Sequence, residues 1–134
     1  MAAYIDTSIA LRLILEDPGS AGVRAWWRAS RMAGEDLYSS KLLQVEMARV
    51  LQREGLSLAL SMPVLSALWL IDIDDDVIRT ASSISTGQHL RSLDAIHVGT
   101  ASLLAPDGIA VVTHDKRMRT VAEALGLTVI DPAE

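Results

Sequence analysis

Five short strand-like runs separated by helix-length stretches set the strongest limit on how this chain can fold. They are Ala2–Ile5, Asp36–Ser40, Leu70–Ile73, Ile109–Thr113 and Leu127–Ile130. Short runs rich in apolar residues suit strands buried on both faces. Strands that alternate with helices pair in parallel, because a chain returning through a helix enters the next strand in the same direction. The expected fold is therefore α/β: a three-layer α/β/α sandwich around a small, mostly parallel central sheet, with residues 1–134 forming one domain. In such a sheet, binding and catalysis sit beyond the carboxyl ends of the strands. The residues that follow each run are the ones to inspect.

The helices between the runs carry their own signals. Thr7 or Ser8 is placed to cap a helix reaching about Leu15. Pro18 suits an early position in a helix that runs to about Met32. Lys41–Arg53 puts Leu43, Met47, Val50 and Leu51 on one stripe and ends at Gly55. Ser57–Leu70 is almost wholly apolar, and Pro63 divides it into two helical pieces. Asp74–Ser85 opens on three aspartates, which favour a helix N-terminus. Ser92 is placed to cap Leu93–Leu104, and Asp115–Leu125 ends at Gly126.

Composition narrows the function. Half of the residues are hydrophobic (50%) and 22% are charged, the profile of a chain with a real core and not of a disordered one. Cysteine is absent, which excludes a disulfide framework and a thiolate metal site and fits a reducing compartment. No run reaches the ~18 apolar residues of a membrane span. Met1–Ile5 carries no basic leader, so a cytoplasmic location is expected and a membrane one is not. The net charge of −5 argues against a protein that coats nucleic acid, which would be basic overall. It leaves room for an enzyme that meets RNA through local basic patches. Ten of the twelve basic residues are arginine, suited to two-pronged contacts with phosphate.

Four carboxylates stand out. Asp6 follows the first run in Tyr4-Ile5-Asp6-Thr7-Ser8, and Asp115 follows the fourth in Val112-Thr113-His114-Asp115. For each, the plain structural reading is a helix cap. Asp94 opens the strongly apolar helix that carries Leu93, Ala95, Ile96 and Val98, so it lies near the core and needs a partner. Glu46 sits mid-helix at the edge of an apolar stripe, where it either pairs with Arg49 or Arg53 or reaches inward. Each acid alone says little. Together they give hard oxygen donors for Mg²⁺ or Mn²⁺, and carboxylates held together repel unless a cation lies between them. Sites of that kind perform phosphoryl chemistry.

At these residues the chain resembles a PIN domain of the VapC type, the toxins of bacterial toxin–antitoxin pairs. The matching pieces are Tyr4–Ser8, Val45–Leu51, Leu90–Ala101 and Val111–Met118, in an order and spacing that fit the family over essentially the whole chain. The resemblance implies a divalent-metal-dependent endoribonuclease whose acidic cluster is Asp6, Glu46, Asp94 and Asp115. Asp6 and Asp94 would be the most direct metal ligands. Thr113 would hydrogen-bond the carboxylates, and Thr7 or Ser8 would do the same. A homodimer, an RNA substrate and a cognate antitoxin that blocks the site are also implied. Arg91 is placed either to reach the scissile phosphate or to form a surface ion pair. Lysines are few, Lys41 and Lys116 alone, so RNA contact would rest on arginines.

The same residues admit other readings. His89, His97 and His114 lack a convincing zinc spacing, and a lone helical histidine is more often structural. His114 reads as exposed on a loop. Trp26 and Trp27 lie among Arg24, Arg28 and Arg31, a pattern that stacks RNA bases or packs on a partner; adjacent helical residues diverge, so at least one tryptophan is expected to face outward. The apolar stretch Leu56–Leu70 exceeds what one buried face needs and reads as an interface. A receiver-like signalling domain would want paired acids after the first strand, and a haloacid-dehalogenase phosphatase a carboxylate where Ser8 stands. A non-catalytic partner-binding module, receiver-like or an inactive PIN domain, is the alternative from a different class.

Overall fold

The computed structural model describes all residues, 1–134. Five strands form one sheet: β1 (Ala2–Ile5), β2 (Leu37–Ser40), β3 (Trp69–Ile71), β4 (Ile109–Val112) and β5 (Thr128–Ile130). The spatial order is β3-β2-β1-β4-β5, and every neighbouring pair is parallel. The chain builds outward from β1 through β2 to β3, then crosses back to β4 and builds the other way to β5. The switch therefore falls between β1 and β4, where the diverging connections leave a crevice at the carboxyl ends.

Seven helices cover the sheet: α1 (Thr7–Arg12), α2 (Ser20–Met32), α3 (Leu42–Arg53), α4 (Met62–Leu65), α5 (Asp75–Ser82), α6 (Ser92–Leu104) and α7 (Lys116–Ala124). Alternate residues of β1 point to opposite faces, and each face meets its own helix layer. Ala3 and Ile5 join Leu37 and Val112 in a core with Ile9 of α1, Val23 of α2, Leu43 and Met47 of α3, and Val64 of α4. Tyr4 points the other way, onto Val111 and Ala101 of α6, and Val98 of α6 packs on Met118 and Val121 of α7. This is the expected three-layer sandwich.

Several local expectations need correction. Asp6, not Thr7 or Ser8, caps α1, and the helix ends at Arg12. The Asp6 carboxylate outcompetes either hydroxyl because it already sits where the strand turns into the helix. α2 starts at Ser20, after Gly19 in the left-handed region at φ 87°, so Pro18 lies outside it. Arg91, not Ser92, is the residue before α6, and no side chain caps that end. The segment around Pro63 is a 3-10 turn, Leu58–Ser61, running directly into the single turn of α4, with the proline at its start instead of at a break.

Gly99 of α6 faces the backbone of α5. A Cβ built there would lie 3.0 Å from Ala81 N and 3.1 Å from its Cα. The two helices approach this closely because Gly99 has no side chain. Gly99→Val is expected to push α5 away and cost about 1–3 kcal/mol, read as a lowered midpoint in urea; an unchanged midpoint would show that the helices can part freely.

Candidate active site

Asp6 and Thr113 leave the carboxyl ends of the two strands flanking the switch. Asp6 is 2% exposed. Its Oδ2 accepts from the Thr113 hydroxyl at 2.6 Å, and its Oδ1 accepts from Ser8 Oγ at 2.7 Å and Ile9 N at 3.2 Å. Ser8 Oγ in turn accepts from His114 N at 3.1 Å, and Thr113 Oγ1 accepts from Asp115 N at 3.0 Å. These bonds stitch the β1–α1 turn to the β4–α7 turn. Burial pushes the Asp6 carboxyl above its ordinary range, against the pull of Thr113, His97 and Ser8. The hydroxyls expected at Ser8 and Thr113 thus hold this carboxylate.

Asp115 caps α7, accepting from Met118 N at 2.8 Å through Oδ1. The cap reading of Asp6 and Asp115 holds, and both residues stand just beyond the carboxyl end of a strand. Asp94 lies in the first turn of α6, with its side chain 16% exposed; Arg91 Nε reaches its Oδ2 at 3.4 Å. Burial raises its carboxyl, the nearby Asp115 charge raises it further, and Arg91 opposes both. Arg91 is therefore an ion-pair residue as the chain stands, itself largely exposed.

Glu46 does not pair with Arg49 or Arg53. Arg49 turns to Gln52 and Arg53 to Glu54. Glu46 reaches inward, where its Oε1 accepts from Thr7 Oγ1 at 2.6 Å and meets His97 Nε2 at 2.7 Å. Burial raises its carboxyl, but the His97 bond and charge and the Thr7 hydroxyl outweigh it, so the net shift is downward. His97 is 1% exposed, and its Nδ1 meets Tyr4 OH at 2.7 Å. The only signal of this connection in the chain's residues is a histidine one turn after Asp94. His114 is tied to Asp131 at 2.8 Å and is only partly exposed, which corrects its reading as a free loop residue.

The four acids share one sheet edge but do not form a closed ligand set. No group of three or more His, Cys, Asp or Glu side chains is gathered tightly enough to enclose an ion. The physical reason is visible in the partners: each carboxylate has turned toward a donor of its own. Glu46, Asp94 and Asp115 nevertheless each keep one carboxylate oxygen without a partner in the chain. Hard oxygen donors with unused oxygens, beside a buried aspartate whose ionisation costs energy, fit a divalent cation in kind.

Beside Asp115 lies a polar cleft of about 510 Å³ lined by Gln88, Arg91, Asp115, Lys116, Arg117 and Thr120, with no hydrophobic residue. Lys116 and Arg117 form no ion pair. Trp26 and Trp27 are both half-buried against the core, so neither faces fully outward as expected. Leu58, Leu60, Met62 and Trp69 are exposed.

A parallel sheet with this strand order, carrying acids at the β1/β4 switch, is the arrangement of a PIN domain. The family model for the PIN domain matches residues 3–124, and the chain belongs to the PIN-domain family. Its relatives are of the VapC type. It is 32% identical over 131 residues to Ribonuclease VapC47 of Mycobacterium tuberculosis, covering 96% of each chain. It is 34% identical over 133 residues to Ribonuclease VapC46 of the same species, covering 98% of each. A toxin–antitoxin complex from Klebsiella pneumoniae contains a chain of the same fold, with a TM-score of 0.71 at 18% identity and 98% coverage of both chains. VapBC2 from Rickettsia felis, bound to a DNA fragment from its promoter, gives a TM-score of 0.69 at 13% identity and 98% coverage of both.

Proposed function

We propose that this chain is a divalent-metal-dependent endoribonuclease, the toxin of a type II toxin–antitoxin pair, acting in the cytoplasm. The observation that carries this reading is the joining of Asp6, through Thr113 and Ser8, to the Asp115 turn at the sheet's switch point. The VapC ribonucleases that the chain resembles end to end supply the reaction class. Asp6, Glu46, Asp94 and Asp115 would hold Mg²⁺ or Mn²⁺, which supplies Lewis-acid activation of water and phosphate when bound. Thr113 and Ser8 fix Asp6 and favour its charged form against the opposing effect of burial. Either Glu46 or Asp115 takes the proton of the attacking water through its unpartnered oxygen. Arg91, Lys116 and Arg117 line the path of the RNA backbone, where cations neutralise phosphates.

The exposed strip of Leu58, Leu60, Met62 and Trp69 favours protein partners, a second copy of the chain or an antitoxin. It is also the observation behind a second reading, a partner-binding module without catalysis. Metal removal separates the two. Treatment with EDTA is expected to abolish cleavage of total cellular RNA, and excess Mn²⁺ to restore it; cleavage that survives chelation would contradict the metal dependence.

A further inference from the structure

His97 is a buried group that the mechanism above leaves unused. It sits on α6, on the face of the sheet opposite α3, yet its ring spans to Glu46 of α3 past the carboxyl edge. Its two nitrogens have different partners: Tyr4 OH at Nδ1 and Glu46 Oε1 at Nε2, both at 2.7 Å, with Thr7 Oγ1 also 3.3 Å from Nε2. The neighbouring hydroxyls of Ser39 and Thr100 donate to the carbonyls of Ile5 and Ile96. Burial holds the Tyr4 phenol far above its ordinary range, so it keeps its proton and can donate it. A carboxylate oxygen only accepts, so at 2.7 Å the ring donates Nε2–H to Glu46 Oε1, while the Tyr4 hydroxyl anchors Nδ1. Thr7 donates to the same oxygen at 2.6 Å. Two donors on Oε1 fix the carboxylate plane and leave Oε2 unpartnered.

We propose that His97 is a positioning residue: anchored at Nδ1 by Tyr4, it locks Glu46 Oε1 through Nε2 so that Oε2 is presented to the catalytic edge. This rests on the nuclease reading above. The two helix layers are thereby joined at the site by one side-chain chain, Tyr4 to His97 to Glu46, with no contact between His97 and the reacting atoms. A positioning role of this kind acts through its partner, so removing the partner first should make the second removal silent.

The test compares His97→Leu, His97→Gln, Glu46→Gln and the Glu46→Gln/His97→Leu double variant for RNA cleavage, thermal stability and Mn²⁺ affinity. His97→Leu is expected to lower kcat about 10- to 100-fold with little change in KM. His97→Gln keeps a donor near the Nε2 position and is expected to recover most of that loss. In the Glu46→Gln background, His97→Leu is expected to change cleavage no further. Should His97→Leu fail to fold, Tyr4→Phe/His97→Leu removes both buried partners and takes its place. An equal kcat loss with and without Glu46, or full activity in a folded Leu variant, would overturn the proposal. A wild-type chain that cuts no RNA would instead defeat the nuclease reading. Mn²⁺ affinity then decides: weaker binding by His97→Leu supports positioning, and unchanged binding overturns it.

Discussion

Asp6→Asn is expected to lose RNA cleavage by at least about 100-fold while keeping its fold. The substitution removes the charge without changing shape. An asparagine oxygen can still accept from Ser8 and Ile9 N, and the Thr113 hydroxyl can turn to accept from the new amide. What is lost is an ionised donor, and the cation that the site's charge would attract. Stability should move the other way. The Asp6 carboxyl lies above its ordinary range because burial disfavours the charge. A raised folded value means a contribution fully present below the unfolded value, about 3.9, and lost as pH rises through the folded value. The neutral variant escapes that loss. It should therefore match or exceed the wild type in thermal midpoint near neutral pH, with the advantage shrinking on acidification. Retained cleavage by pure Asp6→Asn protein would contradict the site assignment.

Thr113→Val is expected to be the costliest single hydroxyl deletion in the chain. Its hydroxyl is fully buried, donates to Asp6 Oδ2 and accepts from Asp115 N. Valine fills the same space and offers neither bond. Leaving a buried carboxylate short of one donor costs about 1.5–3 kcal/mol at neutral pH. The Asp6 carboxyl should rise further, because the Thr113 bond is one of the influences that lower it. Ionised Asp6 is what the proposed chemistry needs, so the acid limb of the pH–rate profile should move to higher pH. The stability deficit should shrink as pH falls through the Asp6 value, since a neutral carboxyl needs the donor less. Calorimetry and cleavage rates across pH 4 to 8 check both signs. A deficit that is flat in pH would show that Thr113 merely packs.

The fold was legible because its signals are local and repeated. Runs such as Ile109–Val112 are buried end to end, as strands covered on both faces are, and their short length between turn residues sets them apart from helices. The strand order was not legible, because pairing depends on which helix covers which face, and that is decided by contacts such as Tyr4 on Ala101. Among the site residues, Asp6 and Asp115 could be found from their place after a strand. Glu46 could not be separated from a surface ion pair, since its wheel position serves either role. The deciding partner, His97, lies 51 positions away. Three-dimensional pairing also bears on why the carboxylates do not close into a ligand set: Glu46 is turned aside by Thr7 and His97 from distant elements, whereas Asp94 meets Arg91 at the start of its own helix.

Whether the carboxylates around the β1/β4 switch cut RNA is read by incubating the purified chain with total cellular RNA, with and without Mg²⁺ or Mn²⁺, and mapping new ends by sequencing, with Asp94→Ala alongside. Discrete cuts that need both the metal and Asp94 are the predicted result. No cuts with any metal from folded, partner-free protein, or the same cuts from Asp94→Ala, would contradict it.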